Sequence, residues 1–199
     1  ATSSDSLPRP DASAPRGAML ADEDRLVDEA RALGLTLAAR GWMVATAESC
    51  TGGAIARALS ETAGSSAWLD RGFVTYSNDA KREVLGVGAR TLERHGAVSE
   101  PTAREMATGA LAASRAHLAL SVTGIAGPGG AVPGKPVGTV CFGWALAAAP
   151  GAAPAVLTET LHLPGNRVEV RLAAARHAVG QALRMVREMV PNPSASAKS

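Results

Sequence analysis

The sequence is poor in several residue types, and each shortage excludes a class of protein. Only two of the 199 residues are cysteines, Cys50 and Cys141, which are too few for a disulfide framework or a zinc site and are typical of a reducing, cytoplasmic environment. Aromatic residues make up 3% of the chain, and a net charge of +2 comes from scattered basic residues. We therefore expect no bound metal. We also expect no nucleic acid partner, because the aromatic residues for base stacking and a strong positive charge are both missing.

Long apolar runs are also missing. No stretch is long enough to span a bilayer, so we expect no membrane partner.

Residues 1–16 are rich in Ser, Pro, Asp and Ala and lack the apolar centre of a secretory signal. We predict disordered tails at 1–18 and 191–199, on either side of a single domain at 19–190, and a hydrophobic fraction of 46% is sufficient for its core.

Lysine is scarce among the charged residues. Only three of the 20 basic residues are lysines, namely Lys81, Lys135 and Lys198. A guanidinium keeps its proton at working pH, whereas a desolvated lysine can lose it. Lys81 is therefore a candidate general base, although a solvated lysine on a helix face is the more common situation.

What is present is an alternation of helical and strand periodicities. Apolar spacings of three and four indicate helices at 19–40, 53–61, 79–85, 91–95, 100–117 and 167–189. Short apolar or alternating runs indicate strands at 42–46, 68–77, 118–123, 138–147 and 155–163, the last two forming a hairpin across Pro150-Gly151. Asp22, Glu23 and Asp24 fall in the predicted first turn of the first helix, and Asn78 is a possible cap for the third. This order predicts an α/β domain with a mixed sheet between helices.

A serine stands at the junction between the first predicted strand and the second predicted helix. The helix that follows Ser49 opens with Gly52 and Gly53, and its first amides lack partners and lie at the positive end of the helix dipole. We predict that Ser49 is a nucleophile and that the amides of residues 50–53 form its oxyanion hole. The alternative is a serine that only caps the helix. The motif is neither G-x-S-x-G nor S-x-x-K, because Ala47 and Gly52 occupy the decisive positions.

A serine nucleophile needs a base. No histidine lies in a motif that connects it with Ser49, which disfavours a Ser-His-Asp triad and leaves Lys81 as the base. Tyr76 is the only tyrosine and lies five residues before Lys81. We interpret it either as a strand-packing residue or as a group that orients Lys81 or the substrate. Cys50 is a rival nucleophile, although an inert buried thiol is the more common state.

Two further segments could bind a ligand. A glycine-rich loop over residues 124–134 follows a central strand, where ligands often bind, but it matches no nucleotide fingerprint. Arg167 and Arg171 share one face at the start of the last helix, where a phosphate would be well bound. A flexible turn and a solvated arginine pair are the simpler alternatives.

Several long motifs together resemble the CinA C-terminal family, whose stand-alone members are the nicotinamide-nucleotide amidohydrolases (PncC). The resemblance covers roughly residues 26–190. The motifs that carry it are TAESCTGG (46–53), GSSAWLDRGFVTYSNDAK (64–81), HGAVSEPTAREMA (95–107), SVTGIAGPGG (121–130) and KPVGTV (135–140). Where members of this family often have Gly-Asp-Arg, this chain has Gly165-Asn166-Arg167.

The resemblance implies a three-layer α/β/α fold and hydrolysis of nicotinamide mononucleotide to nicotinate mononucleotide and ammonia, in pyridine nucleotide recycling. It also implies a homodimer, no cofactor, a Ser49 nucleophile, a Lys81 base and a role for Tyr76. The residues that we expect to bind substrate are Glu48, Cys50, Thr51, Gly52, Gly53, Thr123, Gly124, Ile125, Ala126, Gly127, Arg167 and Arg171. The alternatives are a non-catalytic nucleotide-binding protein linked to competence or DNA damage, and an amidase with another substrate.

Overall fold

The computed structural model describes residues 16–147 and 152–189. Apart from residues 16–18, which belong to the first helix, both predicted tails lie outside these ranges, as does the Pro150-Gly151 turn. The helices are α1 (Arg16–Ala38), α2 (Ala54–Ser60), α3 (Asn78–Leu85), α4 (Ala89–His95), α5 (Glu100–Ala112) and α6 (Arg167–Glu188). The strands are β1 (Val44–Glu48), β2 (Leu69–Val74), β3 (Leu118–Gly124), β4 (Thr139–Leu146) and β5 (Ala155–His162).

The five strands form one mixed sheet in the order β2-β1-β3-β4-β5. Strand β1 pairs in parallel with β2 and β3, whereas β4 is antiparallel to both β3 and β5. All five residues of β1 are buried. The predicted mixed sheet is confirmed, and β1 is the centre of its parallel part.

Helices cover both faces of the sheet. On the first face, α1, α2 and α6 pack against one large apolar cluster that includes Leu33, Ile55, Val179 and Phe142. On the second face, α3 and α5 contribute Leu85 and Met106 to a smaller cluster with residues of β1 and β3. The structure is therefore the predicted three-layer α/β/α fold.

Several predicted boundaries are wrong by a few residues. Strand β1 begins at Val44 rather than at residue 42, because the Trp42 amide still donates to the Leu37 carbonyl at the end of α1. Helix α5 ends at Ala112 and not near residue 117. The cap of α3 is Ser77, whose hydroxyl accepts from the Ala80 amide at 3.0 Å, and not Asn78.

The start of the first helix also differs from the prediction. Helix α1 begins at Arg16, so the acidic residues at positions 22–24 lie beyond its first turn, which contains no acidic residue. Asp22 instead forms an ion pair with Arg176 of α6, at 2.9 Å. Its role is to join two helices on the first face, and not to complement the α1 dipole.

The connections that leave β1 and β2 determine where a ligand can bind. Strand β1 continues into α2 on the first face, and its neighbour β2 continues into α3 on the second face. Adjacent parallel strands whose connections leave on opposite faces open a crevice at their carboxyl ends. The segments that follow β1 and β2 carry Ser49 and Lys81.

Candidate active site

Side-chain alternation along β1 directs two neighbouring residues to opposite faces. Val44 belongs to the first-face cluster, and Ala45 and Ala47 belong to the second-face cluster. Because successive strand residues point to opposite faces, Glu48 faces α2 and Ser49 faces α3. The Ser49 amide still donates to the Val122 carbonyl of β3 at 2.9 Å, which fixes the serine to the sheet.

The Ser49 hydroxyl meets the amine of Lys81. Their Oγ and Nζ atoms are 3.0 Å apart, and both residues are buried. Lys81 lies on α3, and its amine reaches back across the carboxyl end of β2 to the end of β1. The two residues that we predicted to be nucleophile and base are therefore within proton-transfer distance.

Lys81 has an unusual environment for a lysine. Its residue exposure is 1%, and its other contacts are the carbonyls of Thr75 at 2.8 Å and Tyr76 at 3.4 Å. Burial lowers the pKa of Lys81, and the nearby Cys50 thiol opposes this shift. No carboxylate in the described ranges forms an ion pair with this amine. A neutral amine has two N–H groups for the two carbonyls and one lone pair for the serine hydroxyl.

Glu48 acts inside the protein and does not contact solvent. Its carboxylate is fully buried and accepts from the amides of Gly53 at 3.0 Å, Ile55 at 3.1 Å and Ala56 at 2.9 Å. It also accepts from the Thr46 hydroxyl at 3.2 Å. Our prediction of a direct substrate contact is therefore corrected: Glu48 satisfies the first amides of α2, a task that the N-cap residue Gly53 cannot perform.

This finding also narrows the predicted oxyanion hole. The Gly53 amide is bound to Glu48, and the Gly52 amide donates to the Ser49 carbonyl at 3.1 Å. Of the four amides that we predicted, those of Cys50 and Thr51 donate to no other residue in the described ranges. An oxyanion at Ser49 would have to be bound by these two amides and not by the helix terminus.

The thiol and hydroxyl side chains near Ser49 are buried. Burial raises the pKa of the Cys50 thiol to about 11, and hydrogen bonding by its own backbone amide opposes the shift. The thiol is therefore protonated near neutral pH, which disfavours Cys50 as the nucleophile. The hydroxyls of Thr51 and Thr75 are buried without a hydrogen-bond partner among the residues described.

Two of the arginines of α6, Arg167 and Arg171, bind the loops of the site. Arg167 donates through Nη1 to the Gly127 carbonyl at 2.8 Å and through Nη2 to the Tyr76 hydroxyl at 2.9 Å. Arg171 donates through Nε to the Cys50 carbonyl at 2.9 Å and through Nη2 to the Thr51 carbonyl at 3.0 Å. Both side chains therefore join the three segments that follow β1, β2 and β3.

Tyr76 meets Lys81 only through its backbone. The Tyr76 side chain is 59% exposed, and its hydroxyl accepts from Arg167. The contact with Lys81 is therefore made by the Tyr76 carbonyl and not by its hydroxyl, and a role of the side chain in orienting the substrate stays a prediction. The exposed ring lies beside the site and can contact a ligand.

The end of β3 and the loop after it contribute mainly backbone groups to the site. The Thr123 hydroxyl donates to the Ala97 carbonyl at 2.8 Å, and Ile125 and Ala126 are buried. A side chain at Gly124 would come within 2.9 Å of the Thr139 carbonyl, so glycine permits β4 to approach closely. Gly127 presents its carbonyl to Arg167, which brings this loop to the same edge as Tyr76.

Sequence reasoning missed one residue of the site. Thr75 makes the shorter of the two carbonyl contacts to Lys81, and its own amide donates to the Glu48 carbonyl at 2.9 Å. A contact made by a main-chain oxygen leaves no trace in residue type, so the only available signal was the position of Thr75 near the end of the predicted strand 68–77, six residues before Lys81.

Cavities accompany the site but do not define it. One of about 280 Å³ lies beside the turn and is lined by Thr51, Gly52, Arg57 and Arg171 among others. A larger cavity of about 750 Å³ lies at the opposite end of the sheet, beside Arg115, His117 and Ala147. Neither of these two cavities is lined by Ser49 or Lys81, so we place the site where these two residues meet, at the carboxyl ends of β1 and β2.

No cluster of His, Cys, Asp and Glu side chains in the described residues could hold a metal ion. Within the same residues, no helix has the length and hydropathy needed to cross a membrane. No histidine there bonds to Ser49; His177, for example, pairs with Glu159 at 2.7 Å.

Comparison with known proteins gives concordant matches. The model of the CinA C-terminal domain family matches residues 27–190. The nicotinamide-nucleotide amidohydrolase PncC of Enterobacter agglomerans is 54% identical over 162 residues, which are 81% of this chain and 96% of that protein. PncC of Escherichia coli K12 is 49% identical over 157 residues, which are 79% of this chain and 92% of that protein.

Solved structures agree with these matches. The competence/damage inducible protein CihA from Agrobacterium tumefaciens has a TM-score of 0.76 and 49% identity, covering 81% of this chain and 95% of that one. The competence damage-inducible protein A from Klebsiella pneumoniae has a TM-score of 0.77 and 38% identity, covering 83% and 99%.

Proposed function

The chain belongs to the CinA C-terminal domain family, and we propose that it hydrolyses the carboxamide of nicotinamide mononucleotide. The curated relatives are named amidohydrolases, which confirms our expectation of an amidohydrolase. The same names support this substrate, with nicotinate mononucleotide and ammonia as the products. The proposal places Ser49 as nucleophile and Lys81 as general base.

The observation that carries the proposal is the 3.0 Å contact between Ser49 Oγ and a buried amine that forms no ion pair within the described residues. A lysine that serves only as a charge is usually solvated or paired with a carboxylate. Lys81 has neither, and its burial favours the neutral form. This is the form that can accept the proton of a serine hydroxyl.

The proposed first step forms an acyl-enzyme. Neutral Lys81 takes the proton from Ser49 as Oγ forms a bond with the carboxamide carbon, and the carbonyl oxygen becomes an oxyanion near the amides of Cys50 and Thr51. The loss of one such donor costs roughly 3–4 kcal/mol in other enzymes. The Lys81 ammonium then gives its proton to the departing nitrogen, the C–N bond breaks, and ammonia leaves.

The second step releases the acid. Lys81, neutral again, takes a proton from a water molecule that attacks the acyl carbon. The ester bond to Ser49 breaks, and Lys81 returns the proton to Oγ. The products are nicotinate mononucleotide and an enzyme in its initial protonation state.

The first prediction concerns the nucleophile. Purified protein should release ammonia from nicotinamide mononucleotide, and Ser49→Ala should lower kcat by several orders of magnitude because no acyl-enzyme can form. Ammonia release is measured in parallel with the dinucleotide and with free nicotinamide, which tests the substrate.

Cys50→Ala is the matched control, because it removes the adjacent nucleophilic atom and should retain most of the turnover. Near-native activity of Ser49→Ala, together with an inactive Cys50→Ala, would move the nucleophile to the thiol. Binding of the mononucleotide without ammonia release by the wild type would favour the non-catalytic nucleotide-binding alternative. Release from a different amide alone would favour an amidase with another substrate.

Two further expectations stay predictions. We propose a homodimer, which light scattering would report as about twice the chain mass of 20.1 kDa. We also propose a cytoplasmic location, which fits the two free, buried cysteines.

A further inference from the structure

Arg171 makes two hydrogen bonds to consecutive carbonyls of the turn that follows Ser49. Nε donates to the Cys50 carbonyl at 2.9 Å, and Nη2 donates to the Thr51 carbonyl at 3.0 Å. The planar guanidinium presents its donors in a fixed fork, which suits two acceptors side by side, whereas a lysine offers a single point of attachment. A residue 120 positions away in sequence therefore sets the orientation of two peptide groups beside the nucleophile.

The direction of these carbonyls determines the direction of the amides. In a planar trans peptide the C=O of one residue and the N–H of the next point in opposite directions. The Cys50 and Thr51 carbonyls face Arg171, so the N–H groups of Thr51 and Gly52 face away from it. The Gly52 amide confirms this geometry, since it reaches the Ser49 carbonyl at 3.1 Å. The Thr51 amide lies on the same side of the turn and has no partner in the described part of the chain.

Gly52 provides a second, independent observation. Its φ is +62°, a left-handed conformation that favours glycine, and an added Cβ would lie 3.0 Å from Arg171 Nη2. The turn therefore has both the backbone shape and the space that the guanidinium needs. This close approach indicates that the Arg171 guanidinium packs directly against the backbone of the turn.

We infer that Arg171 is a positioning residue that holds the Thr51 amide toward the oxyanion formed at Ser49. This inference rests on the proposed function and replaces our expectation that Arg171 binds substrate. Without Arg171 the Cys50 carbonyl loses its hydrogen bond, so the peptide that carries the Thr51 amide can rotate and this donor is no longer oriented before the reaction. The next peptide keeps the hydrogen bond from the Gly52 amide to the Ser49 carbonyl. Because an oxyanion exists only during the reaction, the effect falls on kcat and not on substrate binding.

The experiment separates kcat from binding. Arg171→Lys and Arg171→Met are assayed for ammonia release from nicotinamide mononucleotide, and the same substitutions are placed in the Ser49→Ala background to measure the Kd of the mononucleotide by calorimetry. We expect kcat to fall roughly 100-fold, as for loss of one oxyanion donor, with Kd changed less than about threefold. Arg184→Met is the control, since Arg184 is exposed on the same helix and bonds to Gln181.

Rescue distinguishes positioning from a folding defect. Guanidinium ions at low millimolar concentration should partly restore the kcat of Arg171→Ala, because they can occupy the vacated space, whereas an unfolded variant cannot be restored. A Kd that weakens as much as kcat/KM falls would make Arg171 a substrate contact and overturn the inference, as would an unchanged kcat. Absence of ammonia release by the wild type would instead refute the proposed function.

Discussion

The two ends of the parallel strands each contain a charged group that is almost completely buried, and the two groups are treated in opposite ways. At the amino end, the Asp70 side chain is 3% exposed and bonds to Arg71 at 2.7 Å and to Arg115 at 3.3 Å. At the carboxyl end, Lys81 has a hydroxyl and two carbonyls as partners and no opposite charge in the part of the chain that the structure describes. One charge is neutralised by neighbours, and the other is not.

The pKa shifts follow this difference. Burial by itself raises the pKa of Asp70, but the Arg115 amide and the guanidiniums of Arg71 and Arg115 outweigh it and hold the pKa below its ordinary value of 3.8. For Lys81, burial dominates and lowers the pKa from 10.5. Asp70 is thus kept in its charged form, and Lys81 is moved toward its neutral form. Loss of a partner from a buried ion pair is destabilising, whereas a buried group with a shifted pKa at a crevice is a candidate for proton transfer.

The largest expected effect comes from Lys81→Arg. The substitution keeps a positive charge but removes the group that can be deprotonated, so turnover should fall roughly 10²–10⁴-fold, the usual contribution of a general base. Ammonia release under single-turnover conditions measures it. Lys135→Arg is the matched control, because Lys135 is partly exposed and donates to the His95 carbonyl. A Lys81→Arg enzyme with near-normal turnover would make Lys81 a charge and not a base.

The pH dependence of kcat/KM of the wild-type protein tests the lowered pKa of Lys81. Lys81 acts as a base only when neutral, so kcat/KM should fall as the pH drops below the pKa of this amine. Because burial lowers that pKa, the plateau on the alkaline side should be reached below pH 10.5. A profile that still rises at pH 10.5 would contradict the effect of burial.

A smaller effect, on both stability and activity, is expected from Glu48→Gln. An amide side chain keeps one acceptor, but its NH₂ group would face backbone N–H donors of α2, so a buried hydrogen bond is lost at a cost of about 1–3 kcal/mol. The start of α2 also determines the shape of the turn after Ser49, and kcat should fall with it. Urea unfolding and ammonia release measure the two effects. Unchanged stability would show that the carboxylate is not needed as the cap of α2.

The smallest effect, on stability alone, is expected from Asp70→Asn. Both arginine partners are exposed, so the loss should be about 1–2 kcal/mol. Because the folded-state pKa of Asp70 is lowered, this stabilisation is present above its ordinary pKa of 3.8 and disappears as the pH falls through the folded-state value. Wild type and variant should therefore differ in urea midpoint at pH 7, and the difference should shrink as the pH falls below 3.8. A parallel loss of turnover would show that the two ends of the sheet are not independent.

The sequence predicted the fold well where local chemistry is decisive. The glycines around residue 52, the apolar runs and the Ser99 cap place the α-helices and strands of the described chain to within about five residues, whereas the short 3-10 helix Ser65–Ala67 was not predicted. The boundaries that were wrong lie at the ends of elements, where short-range hydrogen bonds such as those from Trp42 to Leu37 and from Ala80 to Ser77 determine the last residue.

The candidate site was predicted in its residues but not in its contacts. Ser49 and Lys81 were identified from their motifs and from the scarcity of lysine, and the structure places them together. Glu48, Tyr76 and Arg171 were expected to face substrate, yet their polar groups bond to the α2 amides, to Arg167 and to the turn carbonyls. Residue type shows what a side chain can bond to, but not which of several partners it meets.

The amino-acid sequence by itself determined the order of helices and strands, the family, and the presence of a hydroxyl and an ionisable amine near strand ends. Only the tertiary structure decided that, among the described residues, Lys81 is buried without a counter-ion, that Glu48 binds the amides at the start of α2, and that the Thr51 amide bonds to no other residue. The physical reason is that periodicity and caps act over a few residues. Desolvation and hydrogen-bond competition, in contrast, depend on groups that folding brings together from distant parts of the chain.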